Sequence, residues 1–163
     1  MSTEPFFVRG RLMRDHERLS GLLVRLRAAT VANDREDMLA LWNELDAGLT
    51  THLEVEEKYL FPALAQVDRA AERSLREQHA SIRKKLLELA IRVELHTVRL
   101  DATEEFLSEL AAHAAVEDEM LYRFADEHVD RASRESVIST IESRHRAAIK
   151  SSGDSPPRGA APP

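Results

Sequence analysis

Two pairs of residues in this 163-residue chain have the types and spacing to hold a metal ion: His52 with Glu56, and His113 with Glu117. On a helix, a four-residue spacing puts an imidazole and a carboxylate one turn apart on the same face, where both reach a common cation. Either pair alone would serve equally well as an exposed ion pair. Two pairs in repeat register are harder to explain that way. The ten residues from His52 to Phe61 align with those from His113 to Tyr122 at an offset of 61, and His16 aligns with His79 at an offset of 63. The chain therefore reads as two similar helical hairpins.

The elements that must position these residues follow from apolar periodicity. Val8, Leu12, Leu19, Leu22, Leu23 and Leu26 recur three and four apart, the stripe of a helix from about residue 7 to 31. A second stripe, Met38, Leu41, Trp42, Leu45, Leu49 and Leu53, predicts a helix that follows the polar run Asn33 to Asp37 and ends between Pro62 and Gln66. A third runs from about Arg69 to Val93, and a fourth from about Asp101, with Glu104 as its capping-box partner, to about Asp126. A shorter helix follows from about Ala132 to Lys150. The expected architecture is all-α: an up-down-up-down four-helix bundle with a short additional C-terminal helix, over residues 1–150. Residues 151–163, rich in Pro, Gly, Ser and Ala and without periodicity, are expected to form a disordered tail.

In antiparallel hairpins, residues at one height are equidistant from the turn between them. The midpoint of His16 and His52 is Asp34, that of His52 and His79 falls at Ala65–Gln66, and that of His79 and His113 is His96. All three lie in or beside predicted breaks, so the four histidines belong to one layer, and each falls on its helix's apolar stripe. Four inward imidazoles with two glutamates are costly to bury without a cation. Imidazole with carboxylate suits iron, manganese or zinc, and six ligands exceed one tetrahedral site. Two ions bridged by Glu56 and Glu117, one also held by His16 and His52 and the other by His79 and His113, use every ligand.

Composition narrows the alternatives. The chain has no cysteine, which excludes disulfides, thiolate metal sites and cysteine nucleophiles. A net charge of −6 with interspersed signs offers no basic stripe for nucleic acid. No apolar run is long enough to span a bilayer, so no membrane partner is expected and a cytoplasmic location is. Only five glycines occur, and Leu and Ala dominate the apolar set, which favours helix.

The order His16, His52-x-x-x-Glu56, His79, His113-x-x-x-Glu117, with Leu60-Phe61-Pro62 after the second motif, resembles the hemerythrin-like (HHE cation-binding) family over about residues 9 to 128. The resemblance implies a non-haem di-iron centre, oxo- or hydroxo-bridged, that takes a small ligand such as dioxygen, nitric oxide or peroxide. Oxygen-carrying members have a second histidine one turn after the third helix's ligand, where this chain has Arg83, and an aspartate five residues after the last histidine, where this chain has Glu117 at four and Asp118 at five. The missing imidazole implies two nearly equivalent, more open metal positions. It is similar in this to bacterial members that resemble peroxide-decomposing or nitric-oxide-responsive proteins.

Catalase-like peroxide decomposition is thus one expectation. A non-catalytic iron sensor or store, with folding coupled to metal, is the other. The ferritin-like class needs Glu-x-x-His pairs on two helices, and only Glu142 with His145 fits. Tyr59, seven residues after His52 and three after Glu56, is a candidate hydrogen-bond donor at the site. Glu57 and Asp118 are ligand alternatives for a register slipped by one. Arg83 is expected to reach solvent, and His96, His128 and His145 to lie on the surface.

Overall fold

The computed structural model describes residues 7–153, with the side chains of 149 and 151–153 excepted. Among the described residues the chain is all-helical, without strands, and no helix is long and apolar enough to cross a membrane. Four long segments carry all the predicted ligands except Glu117, which directly follows the last of them: α1 (Arg9–Ala32), α2 (Arg35–Tyr59), α4 (Arg69–Glu94) and α5 (Leu100–Val116). A short α3 (Phe61–Val67) follows α2, α6 (Tyr122–His128) continues the line of α5, and α7 (Arg131–Gly153) closes the described chain.

Local chemistry sets the boundaries. Asn33 ends α1 in the left-handed conformation, with φ 54°, and the Asp34 carboxylate caps α2 by accepting the Asp37 N–H at 3.0 Å. Asp68 caps α4 in the same way through Ala71. His96 also takes a positive φ, 53°, in the turn after α4. The capping expected of Asp101 does not occur. Arg99 holds the cap position, and Asp101, inside the first turn, is drawn instead into a bidentate pair with the Arg99 guanidinium.

Two predicted helices are interrupted, the first just beyond its ligand motif and the second at the last residue of its motif. Pro62 has no N–H to continue α2, so the helix stops at Tyr59 and restarts at Phe61. In the second hairpin no proline intervenes. There Glu117–Leu121 form a π turn, in which the Tyr122 N–H donates to the Glu117 carbonyl five residues back. The C-terminal helix is not short: α7 has 23 residues against 24 in α1, and it continues through 151–153, the start of the predicted tail. Residues 154–163 of that tail lie outside the described residues.

α1 packs against α2 and α5, and α4 against α2 and α5, so these four helices surround a common interior. Two apolar clusters fill it. Leu19, Leu23, Leu26, Trp42, Leu45, Leu49, Ile82, Leu86, Phe106 and Leu110 form one; Leu12, Val55, Leu60, Phe61, Leu75, Leu121 and Ala125 form the core of the other. Each buried leucine contributes about 1.5–3 kcal/mol. α7 lies along α2 and adds Val137, Ile138 and Ile141 to the second cluster. Between the clusters sits a layer of buried polar side chains.

Candidate metal centre

That layer contains His16, His52, Glu56, His79, His113 and Glu117, all buried, with Glu56, His79 and Glu117 fully so. Their ligand atoms form two groups, His16, His52, Glu56 and Glu117 in one, and Glu56, His79, His113 and Glu117 in the other, each within 4.8 Å throughout. The two carboxylates belong to both. Glu117 turns Oε2 to His16 Nε2 at 3.2 Å and Oε1 to His79 Nε2 and His113 Nε2 at 3.2 and 3.1 Å. Glu56 turns Oε1 to His52 Nε2 at 3.1 Å and Oε2 to His79 Nε2 at 3.5 Å.

Each imidazole directs Nε2 inward because its Nδ1 is held from outside. Asp15 meets His52 Nδ1 at 2.8 Å, Glu57 meets His79 at 2.8 Å, Gln78 meets His113 at 3.0 Å and Asp118 meets His16 at 3.2 Å. A partner on the outer nitrogen fixes the ring's tautomer and raises the basicity of the inner one. The four partners follow a rule: the residue before each solitary histidine and the residue after each glutamate serve the histidine of a neighbouring helix. Glu57 and Asp118, alternatives for a slipped register, sit outside the layer in this role. Arg83 reaches Glu57 at 2.6 Å rather than standing free in solvent, and Arg18 reaches Asp15 at 3.1 Å.

The electrostatics are those of a site built around positive charge. Burial pushes the Glu117 carboxyl up, but the close imidazoles of His113, His16 and His79 outweigh it and hold the group well below the usual carboxylate range. Burial lowers His52, yet the Glu56 and Asp15 carboxylates raise it well above an ordinary histidine, and His79 is raised against burial by Glu117, Glu56 and Glu57. Asp15 is depressed in turn: burial opposes this, and His52 and Arg18 outweigh burial. Carboxylates thus bias His52 and His79 toward their cationic form despite burial. Glu56 Oε2 and His113 Nε2 are buried without any hydrogen-bond partner, and the 3.1 Å approach of His113 to Glu117 is not a hydrogen bond. A buried carboxylate oxygen and a buried imidazole nitrogen left unsatisfied within one four-residue group are what a metal ion satisfies.

The tyrosine at the site is not Tyr59. Tyr59 is half-buried against the second apolar cluster with the Lys58 ammonium 4.9 Å over its ring, and no hydrogen bond joins it to the layer. Tyr122, fully buried, occupies the layer instead, its Oη 2.5 Å from Glu56 Oε1, 2.9 Å from His16 Nε2, 3.1 Å from His52 Nε2 and 3.3 Å from Glu117 Oε2. Burial raises its pKa well above the ordinary value, and the Glu117 and Glu56 carboxylates raise it further. The equivalent residue of the first hairpin, Phe61, lies with its ring centroid 4.9 Å from that of His79. The two ligand groups are therefore not equivalent. Asp15 against Gln78 breaks the symmetry a second time.

Of the three histidines expected on the surface, His96 and His128 are exposed, but His145 is half-buried and meets Asp15 Oδ1 at 2.8 Å. The line His52, Asp15, His145 joins the layer to α7. A cavity of about 20 Å³, lined by His16, His52, His113, Leu19, Leu49 and Leu110, opens between the layer and the first apolar cluster.

No curated protein and no solved structure matches the chain. The family model described as Hemerythrin HHE cation binding domain matches residues 9–125, which takes in the whole layer with Tyr122 and leaves out α7. The chain belongs to the hemerythrin HHE cation-binding domain family.

Proposed function

We propose that this chain is an up-down-up-down four-helix bundle holding two iron ions in its polar layer, and that it binds and reacts with a small oxidant, with hydrogen peroxide the substrate to test first. The observation that carries the reading is the shared pair of carboxylates. Glu56 and Glu117 each turn one oxygen to the His16/His52 group and the other to the His79/His113 group. A pair of buried carboxylates facing two ways fixes the separation of two ions, not one. The cycle of packed neighbours α1, α2, α4, α5 with short connections supports the antiparallel order.

Bound iron supplies Lewis acidity and one-electron redox change. The protein supplies the rest. The four outer partners orient the imidazoles, and Leu19, Leu49 and Leu110 line with His16, His52 and His113 a cavity of about 20 Å³, room for about one water beside the layer. Iron content per chain, read together with oxygen evolution on addition of peroxide, tests the proposal: two irons with rapid evolution are expected. Two irons without turnover would favour the second reading, an iron sensor or store. One observation supports that alternative, the His52–Asp15–His145 line, because it ties the state of the layer to a helix outside the family match.

A further inference from the structure

The hydroxyl of Tyr122 is placed as no ordinary hydrogen-bonding phenol is. It has one proton to give, and four potential partners crowd it within 2.5–3.3 Å: Glu56 Oε1, His16 Nε2, His52 Nε2 and Glu117 Oε2. One hydroxyl cannot satisfy two inward imidazoles and two carboxylates at once. These four atoms come one from each residue of the first candidate ligand group. Donors that bind one cation at about 2.0–2.2 Å at right angles to each other stand about 3 Å apart, which is the spacing of Oη from all four.

Resting on the di-iron reading above, we propose that Tyr122 is a direct fifth ligand of the ion held by His16 and His52, and that the exogenous ligand binds the ion held by His79 and His113. The phenolic proton passes to solvent as the cation takes its place. The second half of the assignment follows from the broken repeat. Phe61 stands where a second tyrosine would, and its ring brings no donor atom to His79. The His79/His113 position therefore has one ligand fewer. It also has an approach from the surface, since a groove of about 500 Å³ between α4 and α5, lined by Gln78, Ser81, Glu109 and His113, reaches the edge of the layer on that side. Asp15 and Asp118, two carboxylates, flank the histidines of the closed position, whereas the open one has one carboxylate, Glu57 on His79, and neutral Gln78 on His113.

The test reads the metal, not turnover. Full-length protein is loaded with ferrous iron, oxidised in air, and examined by resonance Raman within any visible phenolate-to-ferric charge-transfer band. Tyrosinate ring modes are expected in the native protein, retained in Tyr59→Phe and lost in Tyr122→Phe with two irons still bound. The chain contains only these two tyrosines. Should Tyr122→Phe fail to hold iron, Tyr59→Phe decides: modes that survive it belong to Tyr122, and modes that vanish overturn the assignment. Two irons without tyrosinate modes in the native protein would overturn this inference while leaving the di-iron reading intact. Protein that takes up no iron would overturn both. Mössbauer spectra are expected to show two quadrupole doublets of equal area, and a single doublet would refute the inequivalence.

Discussion

At Glu117 two demands meet, since one carboxylate must serve both halves of the layer and must do so fully out of water. Glu117→Ala removes both contributions. It is expected to lose most bound iron, and the metal-free variant to be less stable by about 3–5 kcal/mol, the cost of leaving buried imidazolium without its counter-charge; iron analysis and urea melts measure the two effects. The pH dependence of the metal-free protein has a definite sign. His52 and His79 are raised on folding, so their stabilisation is full below the ordinary 6.5 and is lost as pH rises through the folded values. Glu117 is depressed, so its contribution is present above the ordinary 4.5 and is lost as pH falls. Maximal stability is expected between 4.5 and 6.5, with a decline on the alkaline side. Iron competes with those protons, so loaded protein is expected to keep its melting temperature where the metal-free form loses it. A metal-free melting temperature that climbs into alkaline pH would contradict the assignment of charge. The six layer residues were legible in the sequence because a four-residue step on a regular helix preserves a face. Tyr122 was not, because nine residues beyond His113 a regular helix points half a turn away.

What brings Tyr122 back is the π turn. A hydrogen bond to the fifth residue back sets Tyr122 over Glu117 much as an ordinary one sets a fourth residue over the first. In the first hairpin the break at Leu60 does the corresponding work for Phe61. Neither irregularity has a periodic signal, and only Pro62 marked one of them. The π turn behaves as a regular helix with one residue inserted, so removing one should heal it. Deletion of Glu119, which is exposed and pairs only with Arg123, would make Tyr122 the fourth residue after Glu117 on a continuous α-helix. The expected outcome is retention of iron and of the tyrosine beside it, with little change in stability. Iron loss on the scale of Glu117→Ala would show that the π turn itself holds the site. The helices as such were readable because leucine stripes and aspartate caps are local; the Asp101 cap failed because a neighbouring arginine competed for the same carboxylate.

Over the whole molecule, α7 was the least legible element, since its apolar content is modest and its purpose is tertiary. Ile138 and Ile141 seal the second cluster, and His145 reaches through to Asp15. Ile138→Ala or Ile141→Ala is expected to cost about 2 kcal/mol in urea denaturation, at the low end for isoleucine truncation because both sites lie near the surface. His145→Ala is expected to cost about 1 kcal/mol and leave iron content unchanged. No change from any of the three would mean that α7 is only loosely applied. The outer partners of the histidines run Asp15 on α1 to α2, Glu57 on α2 to α4, Gln78 on α4 to α5, and Asp118 after α5 back to α1, a closed circuit in which each helix clasps the next. A hairpin of half the length carries, in Asp15, His16, His52, Glu56 and Glu57, one full copy of every clasp and every bridge. Two such hairpins about a two-fold axis would complete the circuit by themselves. The molecule thus has the plan of a dimer fused into one chain, and its departures from that plan, tyrosine against phenylalanine and glutamine against aspartate, are differences that fusion permits and a symmetric pair forbids.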